Sequence, residues 1–100
     1  MIDLEPSALE ETLTILNRYA PHCEVWAFGS RAKGTAARYA DLDLVLVTNE
    51  PLDPAAVEAL RDAFSESDLP ILVDLHDWRD LPETFRREIR KTATVLKTPA

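Results

Sequence analysis

The sequence predicts a small α/β (α+β) domain, because helical and strand-like patterns alternate along its 100 residues. Apolar residues recur at helical spacing over residues 7–20, 54–67 and 82–91. Short apolar runs separate or follow these segments at residues 24–28, 42–47 and 71–75, as expected of strands. The length allows one modest hydrophobic core, so we expect a single domain over residues 1–100.

The first helix should bury one apolar stripe, and its start has two possible positions. Ser7 and Glu10 have capping-box spacing, whereas Pro6 suits the first position of a helix that is capped one residue earlier. A strand at 24–28 follows and leads into a glycine-serine turn. The residues predicted to form the buried stripe are Leu9, Leu13, Leu16 and Ala20.

The later elements are predicted from apolar runs and capping residues. The second strand is apolar on both faces, which indicates a central position in the sheet. Asp53 and Pro54 supply the N-cap and the first residue of the middle helix. The last helix has Asp80 and Glu83 at capping-box spacing and basic residues near its end, where the helix dipole favours them. A short strand at 92–96 is the last element that we predict.

Composition excludes several classes of protein. The net charge of −7 argues against direct nucleic-acid binding, which depends on many contacts from Lys and Arg to phosphates. The acidic amino terminus lacks the features of a signal peptide, and the apolar runs are too short to span a membrane. Cys23 is the single cysteine, so an internal disulfide is excluded. We therefore expect a cytoplasmic protein without a membrane interaction.

Three aspartates point to metal-assisted chemistry. Asp41 and Asp43 begin the second strand on one side of it, and Asp74 interrupts the apolar third strand. Neighbouring carboxylates repel unless a cation lies between them, and Mg²⁺ takes oxygen ligands from carboxylates and phosphates. If the second and third strands are neighbours, the three carboxylates can hold two divalent ions for a displacement at phosphorus. The competing interpretation of Asp74 is a structural ion pair with an arginine.

The turn before the second strand is suited to phosphate binding. Gly29 lets the backbone approach a phosphate, and the N–H groups and hydroxyl that begin at Ser30 can hold its oxygens. Arg31 and Lys33 would neutralise the phosphate charge. A P-loop is excluded, because Thr35 and Ala36 stand where that motif requires a lysine and then a serine or threonine. By itself, however, a glycine-serine pair is equally typical of a simple tight turn.

Two further features have both a functional and a structural interpretation. His22 and His76 lack metal-ligand spacing; His76 lies two residues from Asp74 and could touch a substrate, although we favour a surface or structural role. Four apolar residues near the last helix could form a contact surface, but packing on the core is the favoured interpretation. These residues are Trp78, Leu81, Phe85 and Ile89.

The combined motif resembles the DNA polymerase β-like nucleotidyltransferase superfamily. It consists of Gly29-Ser30, ten residues, Asp41-x-Asp43, and Asp74 in a later apolar strand. In its shortness the chain is most similar to the minimal nucleotidyltransferases (MNT), the antitoxin partners of HEPN toxins. The resemblance implies a mixed sheet packed against helices. It also implies that Gly29 and Ser30 hold the nucleotide phosphates, that Asp41 and Asp43 hold the metals, and that Asp74 activates the acceptor hydroxyl.

The resemblance further implies an adenylyltransferase that uses ATP and two Mg²⁺ ions. Its expected acceptor is a hydroxyl, with tyrosine the leading choice, on a HEPN ribonuclease toxin, with which it would form a hetero-oligomer. One position departs from the family pattern, since Ala40 stands where many relatives have a serine beside the first carboxylate. Two other functions stay open: an antitoxin that neutralises its partner by occlusive binding without catalysis, and a nucleotidyltransferase for a small molecule such as an aminoglycoside.

Overall fold

A computed structural model describes residues 2–99 of the chain. Helices and strands follow one another in the predicted order, which confirms the α/β fold class. No helix within these residues is both long and apolar enough to cross a membrane. In chain order the elements are α1 (Pro6–Tyr19), β1 (Glu24–Phe28), α2 (Ser30–Lys33), β2 (Leu42–Val47), α3 (Pro54–Ser65), β3 (Val73–Asp77), a 3-10 turn (Trp78–Asp80), α4 (Glu83–Thr92) and β4 (Thr94–Lys97).

The strands form one mixed sheet with the order β3-β2-β1-β4. β1 is antiparallel to both β2 and β4, whereas β2 and β3 are parallel. β2 therefore lies inside the sheet, as its apolar pattern predicted, and β3 is its neighbour. The parallel pair sets Asp43 opposite Asp74.

Side-chain alternation divides the core between the two faces of the sheet. On one face, Leu44 of β2 packs with Leu16 of α1 and Leu60 of α3, and all three are buried. On the other face, Val45 of β2 and Ile89 of α4 form a second buried cluster with residues of β1. Since Asp43 alternates with Leu44, the carboxylates project from the face that α4 partly covers.

Of the three predicted helix starts, the first to be considered is confirmed, the second is decided between two alternatives, and the third prediction is wrong. The Asp53 side chain accepts a hydrogen bond from the Ala55 N–H at 2.9 Å, as predicted for an N-cap. α1 begins at Pro6, which leaves the alternative capping box unused. α4 begins at Glu83 without a side-chain cap, because Asp80 belongs to the preceding 3-10 turn.

Two other boundaries also differ from the predictions. β3 begins at Val73 rather than at residue 71, although the Leu42 N–H already bonds to the Leu72 carbonyl at 2.9 Å. β4 begins two residues later than predicted, because α4 continues to Thr92. Both shifts move the element towards the carboxyl terminus and keep the predicted alternation of Asp74.

The buried stripe of α1 differs in part from the predicted one. Its buried members are Ala8, Thr12 and Leu16, whereas Leu9 and Leu13 are half-buried. The buried Thr12 hydroxyl donates a hydrogen bond to the Ala8 carbonyl at 2.7 Å, so its polar group is satisfied within the helix. The stripe is thus turned by about one residue from the leucine pattern.

Buried Lys97 joins the last strand to the connection between α1 and β1. Its Nζ donates hydrogen bonds to the carbonyls of Ala20 at 3.2 Å, Pro21 at 3.3 Å and Cys23 at 2.5 Å. Burial lowers the pKa of Lys97, and the three carbonyls satisfy its donors. This contact fixes the edge strand β4 to the rest of the domain.

Candidate active site

The candidate site is built from two cross-strand rows on the α4 face of the sheet. Phe28, Asp43 and Asp74 occupy one row, and Val45 and His76 are paired in the next. Side chains at paired positions of neighbouring strands point to the same face. The second and third strands therefore bring two of the three predicted carboxylates together.

Asp43, Asp74 and His76 form a compact group of possible metal ligands. One ligand atom from each lies within 4.8 Å of the other two. His76 Nε2 is 3.3 Å from Asp74 Oδ2, and the Asp74 side chain is 58% exposed, against 25% for His76. Two carboxylates and an imidazole are a donor set that fits a divalent cation. Sequence reasoning did not place His76 in this group, although its spacing of two from Asp74 predicts a shared face.

Asp41 lies immediately before β2 and is exposed. It stands outside the compact group of ligand atoms, but its charge contributes to raising the pKa of Asp43. Its role as a ligand therefore stays a prediction. A cation shared with Asp43 would bring the two carboxylates together.

The Asp43 carboxylate is held in an unfavourable environment. Burial is the main cause that raises its pKa, and the nearby charges of Asp74 and Asp41 raise it further, while His76 opposes them. The folded protein thus places negative charge where it is poorly solvated and repelled. A bound cation would relieve both effects.

Gly29 lies directly against this carboxylate. Its φ is +77°, and a Cβ at this position would lie 2.8 Å from Asp43 Oδ2. Its N–H donates to the Thr92 hydroxyl at 3.3 Å, which connects the turn to the end of α4. Ser30 then begins α2, whose first helical hydrogen bond runs from the Lys33 N–H to the Gly29 carbonyl at 3.1 Å. Glycine is therefore required both by the backbone conformation and by the close approach of Asp43.

The Arg31 side chain is buried and bound to backbone carbonyls. Its guanidinium donates to the carbonyls of Ala40 at 2.9 Å, Asp3 at 2.7 Å and Arg38 at 3.1 Å. These bonds fasten the amino-terminal segment and the loop that leads to Asp41. The phosphate-binding role predicted for Arg31 stays a prediction, and the contacts observed are structural. Lys33, in contrast, is exposed.

The apolar residues near α4 mainly pack on the core. Trp78 and Leu81 pack against buried Ile89 and Phe28. Phe85 is 40% exposed, and its ring centroid lies 6.0 Å from that of His76. The favoured packing interpretation is therefore confirmed for most of this set, while Phe85 borders the candidate site.

Comparison with known proteins places this geometry in a family. The family profile described as "Polymerase beta, Nucleotidyltransferase" matches residues 10–99. The chain belongs to this nucleotidyltransferase family. It is 49% identical over 96 residues to the Probable protein adenylyltransferase MntA of Haemophilus influenzae, an alignment that covers 96% of this chain and 84% of MntA. The enzyme class predicted from the sequence, a nucleotidyltransferase, is confirmed.

Solved structures show the same fold. A crystal structure of a toxin–antitoxin with AMP-PNP matches with a TM-score of 0.74 and 24% identity, over 90% of this chain and 73% of that chain. The complex of tri-AMPylated Shewanella oneidensis HEPN toxin with MNT antitoxin matches with a TM-score of 0.70 and 20% identity, over 95% of this chain and 73% of that chain. Together with the identity to MntA, these matches confirm the resemblance to the minimal nucleotidyltransferases.

The two glycines with positive φ values offer a pair of substitutions for comparison. Gly29 and Gly34 both have a φ of +77°, but a Cβ at Gly34 meets no atom within 4 Å. We expect Gly34→Ala to lower the free energy of unfolding by about 1 kcal/mol through backbone strain. Gly29→Ala should lower it by about 1–3 kcal/mol more, because its methyl group displaces Asp43 and because its ψ of −155° belongs to a region that only glycine adopts readily. Urea unfolding measures the difference, and equal costs would contradict the close approach.

Neutralising Asp43 should stabilise the metal-free protein in a pH-dependent way. Because the folded state raises the pKa of Asp43 above 3.8, the wild type takes up protons on folding and loses stability as pH rises through the folded-state pKa. Asp43→Asn should therefore have the higher free energy of unfolding near neutral pH. The difference in free energy of unfolding between Asp43→Asn and the wild type should shrink as pH falls towards 3.8. Urea unfolding in EDTA across this range measures the difference in stability. Asp62→Asn, which removes a carboxylate at an exposed position of α3, is the matched control.

Removing the Arg31 guanidinium should loosen the loop before Asp41. Arg31→Met leaves three carbonyls without their donor, so we expect the free energy of unfolding to fall by about 2–4 kcal/mol. Hydrogen exchange over residues 34–41 should also become faster than in the wild type. Arg61→Met, at an exposed position of α3, should change stability by less than about 0.5 kcal/mol. Similar effects of the two substitutions would refute the structural role of Arg31.

Proposed function

We propose that this protein is an antitoxin that transfers AMP from ATP to a tyrosine hydroxyl of a HEPN ribonuclease toxin and thereby neutralises it. The observation that carries the proposal is the pairing of Asp43 with Asp74 across β2 and β3, beside the Gly29-Ser30 turn. It is supported by the 49% identity to a protein named as an adenylyltransferase. A fold neighbour that is complexed with a tri-AMPylated HEPN toxin supports the choice of partner.

The carboxylates are the groups that would hold Mg²⁺, with Asp41 and Asp43 as the ligands of two ions and Asp74 as the third carboxylate. Their charge and oxygen donors suit this ion. Burial first, and then the charges of Asp74 and Asp41, raise the pKa of Asp43, and a bound cation would favour its charged form. When bound, Mg²⁺ would neutralise charge that develops on the phosphate oxygens.

The start of α2 supplies the groups for the nucleotide phosphates. The N–H groups of Ser30 and its successors precede the first hydrogen bond of the helix, and the Ser30 hydroxyl adds a further donor. The exposed Lys33 provides positive charge on the same short helix. Gly29 keeps this turn against Asp43, so that phosphate and carboxylates meet.

The proposed reaction is an in-line displacement at the α-phosphorus of ATP. The acceptor oxygen forms a bond to the α-phosphorus, and the bond from this phosphorus to the oxygen that bridges to the β-phosphate breaks. Pyrophosphate leaves, and the hydroxyl proton passes to the Asp74 carboxylate and from there to water. With its side chain 58% exposed, Asp74 is accessible both to an acceptor and to solvent.

A protein acceptor suits the open position of the site. Asp74 lies on the edge strand β3, and neither it nor Asp41 is buried. A substrate carried by a folded partner can approach this edge, and the partner's own surface then supplies the missing walls. We place this reaction in the cytoplasm, where ATP is available.

The direct test combines the purified protein, ATP labelled at the α-phosphate, Mg²⁺ and a purified HEPN-family toxin. Wild type should label a tyrosine of the toxin and abolish its ribonuclease activity. Asp43→Asn and Asp74→Asn should each reduce labelling by about 100-fold or more, because each removes a charge needed at the reacting phosphate. Asp62→Asn, on α3, should label normally.

Each other outcome decides against the proposal in a defined way. Absence of label on the toxin with wild type would refute adenylyl transfer to this partner. Carboxylate variants that still bind and silence the toxin without labelling it would favour occlusive binding instead. Transfer to an aminoglycoside in the absence of the toxin would favour a small-molecule acceptor.

A further inference from the structure

His76 shares a sheet face with the carboxylates but has no role in the reaction proposed above. It lies two residues beyond Asp74 on β3, and its ring is more buried than that carboxylate. Val45, its partner on β2, is apolar and buried, so the nearest polar group on the same strand face is Asp74. The imidazole is thus directed into the site by the same alternation that directs Asp74.

Aromatic packing fixes the position of the imidazole ring. Its centroid lies 5.4 Å from that of Phe28 and 6.0 Å from that of Phe85. The Phe28 and Phe85 rings also contact each other edge to face, with centroids 6.0 Å apart. A ring held from two sides loses little conformational freedom when it binds a ligand, which favours a defined coordinating role.

The distances fit coordination of one ion. Adjacent ligands of an octahedral ion with bonds of about 2.1–2.2 Å lie about 3.0 Å apart, and opposite ligands about 4.3 Å apart. His76 Nε2 and Asp74 Oδ2 are separated by 3.3 Å, and Asp43 contributes an oxygen within 4.8 Å of both. The separation of His76 Nε2 from Asp74 Oδ2 is therefore close to that of adjacent ligands, and the Asp43 oxygen lies near enough for side-chain rotation to bring it to the same ion.

We propose that Nε2 of His76 is a direct ligand of a divalent metal ion held by Asp43 and Asp74. An imidazole nitrogen suits first-row transition ions better than Mg²⁺, while carboxylates accept both. The mixed set therefore gives the site a preference for Mn²⁺ over Mg²⁺. This inference rests on the proposed function in one respect, because it takes the carboxylate pair to be the metal site.

Pulsed electron paramagnetic resonance of bound Mn²⁺ tests the ligand directly. Untagged wild-type protein with Mn²⁺ alone should show coupling to a directly bound ¹⁴N, and this coupling should disappear in His76→Gln. The chain has two histidines, so His22→Gln is the matched control and should keep the coupling. The concentration of Mg²⁺ that displaces Mn²⁺ should fall about 10-fold in His76→Gln, with no such change in His22→Gln.

A second experiment with isotope-labelled wild-type protein makes the test independent of whether any variant folds. Wild type labelled with ¹⁵N-histidine should show a ¹⁵N coupling in place of the ¹⁴N one. A bound-Mn²⁺ spectrum without nitrogen coupling, coupling that survives in His76→Gln, or no Mn²⁺ binding at millimolar concentration would each overturn the proposal. Labelling of the toxin in Mg²⁺ by a protein without nitrogen coupling would refute this ligand alone, whereas nitrogen coupling without labelling would refute the proposed reaction alone.

Discussion

The parallel pairing of β2 with β3 is the constraint on which the candidate site depends. Parallel neighbours cannot be joined by a tight turn, so the chain must cross over between them, and α3 makes this crossing. The helix is held on the opposite face of the sheet by buried Leu60 and Phe64. The position of Asp74 beside Asp43 therefore depends on apolar packing on the other side of the sheet. A shift of one residue in the pairing would turn Asp74 into the core.

The site concentrates negative charge, and hydrogen bonds from other residues hold the backbone around it in place. Burial and neighbouring carboxylates both raise the pKa of Asp43, so the charged form of this carboxylate opposes folding. The adjacent backbone is held by contacts that carry no negative charge into the site. Thr92 accepts a hydrogen bond from Gly29, and Arg31 binds three carbonyls around the loop before Asp41. The side chains of Arg31 and Thr92 thus hold the backbone around the site, while the carboxylates are the candidate functional groups.

The sequence was sufficient where one residue broke a regular pattern, and insufficient where contacts join distant segments. Asp74 could be recognised because a charge interrupts an apolar strand, and the alternation stayed correct although β3 begins two residues later. The structural contacts of Arg31 could not be predicted, because one of its carbonyl partners belongs to Asp3, 28 residues away. A hydrogen bond to a backbone carbonyl also does not depend on which side chain the partner residue carries. For His76 the sequence favours a surface or structural role, because the two histidines lack metal-ligand spacing along the chain. His76 and Asp43 come close together only because the sheet pairs β3 with β2.

The exposure of Asp74, the third carboxylate, would make the proposed reaction depend on the partner that covers it. At 58% exposure the charge of Asp74 is screened by water, and its influence on a reacting hydroxyl is weak. A partner that covers the β3 edge removes this water, and the same carboxylates then act in a medium of lower dielectric constant. Phe85, 40% exposed beside His76, offers an apolar surface on which such a partner can close. Under the proposed function, the acceptor protein would complete the environment in which it is modified, and the open site itself would disfavour transfer to other hydroxyls in solution.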